Sequence, residues 1–217
     1  MGPFARSILL ALPNYTTVGS ANLIGIVELI WGNPMSRLSA VDPATAEPTA
    51  RRLLDKVERS LGATPNMMRG MAVSPAVLDA YLSFGAALSK GRLTAGVREQ
   101  IALVTAAENS CDYCYAAHNV LGAQAGVSAA DLSAGGCAEA SDPRTAAALR
   151  FARVVIRERG FVSDTDLADV RAAGYTDGEI GEIIGTVALN VFTNYFNSVA
   201  QTNLDFPAVP LPVEAKS

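Results

Sequence analysis

Glu99-Gln-Ile-Ala-Leu-Val-Thr-Ala-Ala-Glu-Asn-Ser-Cys111-Asp-Tyr-Cys114-Tyr-Ala-Ala-His118 contains the only histidine of the 217-residue chain and two of its three cysteines. Val97, Ile101, Val104 and Thr105 fall at helical spacing, and Asn109-Ser110 interrupts the run. The reading is therefore one helix over 95–108, a tight turn, and a second helix from about 111 to Ala125. At about 100° per residue, positions 111, 114 and 118 share one face of that second helix. Folding back at the turn sets the first helix antiparallel and brings Glu99 roughly level with His118.

Outward from this hairpin, the chain reads as helix after helix. Ala44 to Leu61 carries Ala50, Leu53, Leu54, Val57 and Leu61 at three- and four-residue spacings and stops at Gly62. Pro65 begins a short turn through Met71, and Ser74-Pro75 opens a helix running to near Gly91. Thr94, Ser128, Asp142, Ser163 and Thr176 stand where N-caps belong, and Gly126, Gly160 and Gly174 where helices should end. The last segment, Asp177 to about Asn203, is apolar over more than one stripe. It is expected to be a central helix that also meets another subunit. Pro207, Pro210 and Pro212 then impose an extended tail. No strand pattern competes, so the fold expected is a compact, all-α, multi-helix domain, oligomeric, over residues 35–207, with a Pro-rich tail at 208–217.

Residues 1–34 stand apart. Their apolar stretches, Ile8 to Leu12 and Asn22 to Trp31, are interrupted by Pro13, a polar run and Glu28. They fall short of the roughly 20 apolar residues of a membrane helix and match a signal peptide poorly. They are read as an extension outside the domain, with Met35 as an alternative start.

Composition narrows the function. With 17 Lys and Arg against 21 Asp and Glu, a net charge of −4, and no basic cluster, nucleic acid is not an expected partner. Three cysteines in 217 residues do not make a disulfide-stapled secreted scaffold, and a reducing compartment fits better. There is no phosphate-binding glycine loop, dinucleotide fingerprint or glycine-flanked nucleophilic serine.

The hairpin's four polar groups can each do chemistry. Cys111 sits at a helix N-terminus, where unpaired amides and the helix dipole favour a thiolate. Cys114 lies one turn deeper, four residues before His118, which can take its proton directly or through one water. Cys111 is about 10 Å from the imidazole along the helix axis, so the histidine serves Cys114. Glu99 orients the imidazole, completing a glutamate–histidine–cysteine proton relay. Other readings stay open. Two cysteines, His118 and Glu99 could hold zinc, although three ligands on one helical face suit an open site better than a structural one. Taken singly, Glu99 reads as a solvated helix charge and His118 as a hydrogen-bonded interior residue. Haem attachment would require histidine where Tyr115 stands. Cys137 reads as a small apolar residue, and Asn194 and Asn197 as amides bonding helix to helix or bordering the pocket or a subunit interface.

A glutamate, Cys-x-x-Cys twelve positions later, and then x-x-x-His resembles the motif of the alkyl hydroperoxidase D-like (carboxymuconolactone decarboxylase) family. Gly62-Ala-Thr-Pro-Asn66 and Asn194-Tyr-Phe-Asn197 resemble its peroxidase-related branch, and the likeness runs from about Met35 to Pro207. It implies a cytoplasmic, cofactor-free, metal-free helical homo-oligomer, not bound to membranes. Such a protein reduces organic hydroperoxides through a Cys111–Cys114 disulfide cycle, drawing electrons from a dithiol reductant or adaptor protein, with Glu99, Cys111, Cys114 and His118 as catalytic residues. The family also holds decarboxylases, which generally lack the cysteine pair. A non-enzymatic stress or assembly protein on the same scaffold is the third reading. One position departs from the family's best-known members: Tyr113 stands where they carry a histidine between the cysteines.

Overall fold

A computed structural model of the chain describes residues 36–212. The extension over 1–34 and the end of the tail lie outside the described residues. All regular structure described is helical: α1 Pro48–Leu61, α2 Asn66–Met71, α3 Pro75–Leu88, α4 Ala95–Glu108, α5 Asp112–Gln124, α6 Ala129–Gly135, α7 Pro143–Arg157, α8 Asp164–Ala172 and α9 Asp177–Ala200. The chain has the expected all-α architecture.

The boundaries follow the caps. Thr94, Ser128, Asp142, Ser163 and Thr176 each accept a hydrogen bond from the backbone N–H three residues on, and Ser163 and Thr176 form full capping boxes with Asp166 and Glu179. Two expected boundaries move. The first helix begins at Pro48 rather than Ala44, because Pro48 holds Glu47 in extended backbone, φ −55° and ψ 149°, and the chain cannot enter a helix before it. The last helix ends at Ala200, where Gln201 turns left-handed and returns its N–H to Asn197 O.

A larger correction concerns which helix is central. Every residue of α4 from Gln100 to Ala107 is buried, so no face of that stretch is left to solvent, and α5, α9, α7 and α6 all pack on it. Its alanines, at 102, 106 and 107, leave room for neighbours on every side. The long α9 instead buries Ile180, Ile183 and Val187 while leaving Ile184, Phe192, Tyr195 and Val199 exposed. One apolar cluster around Leu54, Met71, Leu78 and Leu103 encloses the cysteine pair. A second, around Ile101, Leu149, Val170 and Ile183, lies on the other flank of α4. Among the described residues, no helix is long and apolar enough to cross a membrane.

Candidate active site

The turn that sets the site is Asn109-Ser110. Ser110 takes the left-handed conformation, φ 53°, and Cys111 N donates to Ala106 O at 2.9 Å, closing α4. Cys111 is thereby the N-cap of α5, not its first residue, and its sulfur accepts the N–H of Cys114 at 3.3 Å. The backbone thus presents Cys114 N–H toward the pair, as the helix-terminus argument requires. The two cysteines are joined as a disulfide, with Cα atoms 5.4 Å apart, and are almost fully buried at 4% and 2% exposure.

The antiparallel return of α5 along α4 places Glu99 Oε2 2.7 Å from His118 Nδ1, and both side chains keep some solvent access. A carboxylate only accepts, so Nδ1 carries a proton, and in the neutral ring Nε2 is the nitrogen left as an acceptor. Gly122, one turn beyond His118, leaves space for Leu132: a Cβ there would fall 2.7 Å from Leu132 Cδ2, so that side chain would have to shift, while its 3.6 Å from Glu99 Cβ would be ordinary contact. Cys114 and His118 line one cavity of about 190 Å³, whose walls include Leu61, Met67, Met68, Tyr81 and Phe206. Cys111 instead lines a separate, open depression, with Ser110, Asp112, Tyr113, Asn197, Gln201 and Thr202. Cys114 therefore lines a mostly apolar cavity and Cys111 a more polar depression.

Burial, with a smaller contribution from the Glu99 charge, raises the Tyr81 hydroxyl to about 12, so it stays protonated in the cavity wall. Tyr113, at the position where the sequence departs from the family's best-known members, points away from proton chemistry. Its hydroxyl donates to Asp205 Oδ2 at 2.6 Å and accepts Met67 N–H at 3.3 Å. Burial first, and then the Asp205 hydrogen bond, push its ionisation far above the ordinary phenol range. Asp205 also accepts from Asn66 N at 2.7 Å, and Phe206 packs edge-on to the Tyr113 ring. The start of the tail is therefore part of the cavity wall, which the sequence did not reveal.

The two asparagines separate. Asn194 Oδ1 accepts from Asn109 Nδ2 at 3.0 Å, a bond between α9 and the end of α4. Asn197 reaches the reactive pair itself, its amide nitrogen 3.2 Å from Cys114 Sγ. Cys137 takes no part in the site's disulfide. Among the described residues, no three His, Cys, Asp or Glu side chains converge as metal ligands would.

Comparison with known proteins gives this site its context. The family model of the carboxymuconolactone decarboxylase family matches residues 75–155, from α3 through most of α7 and including all four motif residues. A peroxidase-related protein from Ralstonia eutropha JMP134, described as an alkylhydroperoxidase AhpD core, is 26% identical. It superposes with a TM-score of 0.71 over 79% of this chain and 93% of its own. A second peroxidase-related protein, from Silicibacter sp. TM1040, is 24% identical, with a TM-score of 0.63 over 77% of this chain and 94% of its own. The debrominase Bmp8, at 17% identity and a TM-score of 0.68 over 78% of this chain and 92% of its own, shares the fold. No curated protein matches the chain in sequence. The all-helical core thus has the AhpD-like fold, and residues 75–155, with the motif seated in one hairpin, match the carboxymuconolactone decarboxylase family.

Proposed function

We propose that the protein is a thiol-dependent peroxidase that reduces organic hydroperoxides through Cys111 and Cys114, with Glu99 and His118 moving the proton. The observation that carries this reading is the placement of a closable cysteine pair between two chambers, with the Glu99-held imidazole on the same side as Cys114. In the reduced protein, His118 Nε2 accepts the Cys114 proton. The Cys114 thiolate attacks the terminal oxygen of the hydroperoxide. The O–O bond breaks, Cys114 becomes a sulfenic acid, and the alkoxide leaves with the proton returned by His118 as an alcohol. Cys111 then displaces the hydroxyl as water and forms the disulfide. An external dithiol opens it in two exchange steps and is itself oxidised to a disulfide.

The apolar cavity supports an organic rather than an ionic substrate. The polar side of Cys111 supports approach of the dithiol there. The exposed apolar residues on α9, Ile184, Phe192, Tyr195 and Val199, support assembly into a homo-oligomer, which light scattering of the purified protein would check.

The test of the activity is peroxide consumption with cumene hydroperoxide and dithiothreitol. Cys114→Ser should abolish it. Full activity in that variant would remove the assignment. The structure of Bmp8 bound to 2,3,4-tribromopyrrole shows that another protein of this fold takes a halogenated ring. Bromopyrroles therefore belong in the same assay as competing substrates.

A further inference from the structure

Asn197 is a buried amide whose hydrogen bonds are made to sulfur. Its Nδ2 lies 3.2 Å from Cys114 Sγ and 3.1 Å from Met67 Sδ, and its residue exposure is 4%. Its Oδ1 is buried and has no hydrogen-bond partner. Leaving an amide oxygen unpaired in the interior is unfavourable, so this placement needs a physical reason.

The thioether of Met67 supplies part of it. A thioether has no proton to give, so it can meet the amide only through N–H. Turning the amide over would set Oδ1 against the sulfur lone pairs. Met67 therefore fixes the orientation in which Cys114 also receives an N–H. A neutral disulfide or thiol sulfur is a weak acceptor, whereas a thiolate takes a charge-assisted hydrogen bond roughly twice as strong. The amide gains most when Cys114 is reduced and ionised.

We infer that Asn197 is a catalytic residue whose amide N–H, held in place by Met67, stabilises the Cys114 thiolate and so favours the reduced pair over the disulfide. This rests on Cys114 being the reacting thiol and deepens that reading, because it adds a donor to the base already described. No new co-reactant is involved. The proton leaves Cys114 for His118 or solvent, and the amide keeps both of its own. The other ionisable groups around Cys114 are its partner Cys111, Tyr113 and His118 on α5, and Tyr81 on α3, with Glu99 on His118 and Asp205 on Tyr113. All of them are retained in the variants below, except that Cys111 is serine throughout the alkylation series, in the reference protein as in the variants.

The experiment follows the pH dependence of Cys114 alkylation by iodoacetamide in a Cys111→Ser background, read by mass spectrometry. Asn197→Leu, of similar volume but without a donor, should move the midpoint up by about one pH unit. Asn197→Asp should move it at least as far. In the intact pair, above both midpoints, a one-unit shift displaces the equilibrium with dithiothreitol about tenfold toward the disulfide, about 30 mV for this two-electron couple. Met67→Leu, which leaves Asn197 in place but frees its amide to turn, should shift both readouts in the same direction by less, and it stands in if the Asn197 variants do not fold. Unchanged midpoints in the folded variants would overturn the inference even in an active peroxidase. Shifted midpoints in a protein that consumes no peroxide would uphold it while the proposed activity fell.

Discussion

The Tyr113 hydroxyl donates a 2.6 Å hydrogen bond to Asp205, joining the residue between the two cysteines to a tail residue 92 positions later. The same carboxylate oxygen takes the Asn66 N–H at 2.7 Å, so one side chain ties the cysteine hairpin, the start of α2 and the tail together. Phe206 is held against the Tyr113 ring as a consequence, with the ring centroids 5.7 Å apart. Asp205→Ala should release this corner. The expected cost is about 1–3 kcal/mol in urea unfolding, since it strips a buried hydroxyl and a helix-start N–H of their acceptor. In the peroxide assay, KM for a bulky hydroperoxide should rise more than kcat falls, because the variant loosens a cavity wall and leaves the proton path in place. An equal fall in kcat would assign Asp205 a direct part in the chemistry.

Glu99 makes its 2.7 Å contact with the Nδ1 of His118, not with either sulfur. Its effect must therefore pass through the ring. Glu99→Gln keeps the shape but lets the amide settle either tautomer, so a fraction of the imidazole presents N–H rather than a lone pair to the Cys114 side. Peroxide turnover should fall on the order of a hundredfold. The pH at which Cys114 becomes alkylated should rise in parallel. Stability should change by less than about 1 kcal/mol, the pair being partly open to solvent. A variant with unaltered turnover would show the carboxylate to be an ordinary surface charge.

What the sequence made legible has a physical pattern. Helix ends were readable because a cap is a local event, decided by one side chain and a backbone N–H three residues away, as at Thr94, Asp142 and Thr176. The Glu99–His118 contact was readable for a related reason: a two-residue turn fixes an antiparallel register, and the count of residues on either side then sets who faces whom. Burial was harder to read. Alanine-rich α4 shows little amphipathic contrast, and its central place depends on neighbours that arrive from α7 and α9. Hydrophobic bulk pointed to α9 instead, much of which is exposed. Asp205 was illegible as part of the site, and Asn197 was singled out only as an amide bonding helix to helix or bordering the pocket or an interface, because their partners lie far off in sequence and nothing local reveals them.

Cys114 lines the apolar cavity and Cys111 the separate depression, an arrangement that would separate the steps of the proposed cycle. Cys111→Ser leaves Cys114 able to attack peroxide but unable to form the internal disulfide. One equivalent of hydroperoxide should then add a single oxygen to Cys114, about 16 Da, and multiple turnover with dithiothreitol should slow at least tenfold. Intact-mass measurement with a sulfenic-acid trap reads the adduct directly. If the oxygen appears only in Cys114→Ser, on Cys111, the two roles are reversed.

A carboxylate remote from the cysteine site sets an acid limit on the fold. Glu179, at N3 of α9, accepts the N–H and hydroxyl of Thr176 through Oε2, and the Arg144 guanidinium through Oε1 at 2.7 Å. Arg144 itself lies over the Tyr175 ring, 4.0 Å from its centroid. The Thr176 backbone hydrogen bond first, and then Arg144, lower the Glu179 carboxyl from 4.5 to about 2. Because folding lowers this value, the stabilisation is complete above the ordinary carboxylate range and is withdrawn as pH falls from there toward 2. Glu179→Gln should therefore cost about 1–2 kcal/mol near neutrality, as loss of half a capping box does. Urea unfolding of both proteins at pH 7, 4 and 2.5 would show the gap narrowing as acid is added. A gap that stays constant down to pH 2.5 would mean that the carboxylate contributes through its shape alone, and that Arg144 gains nothing from its charge.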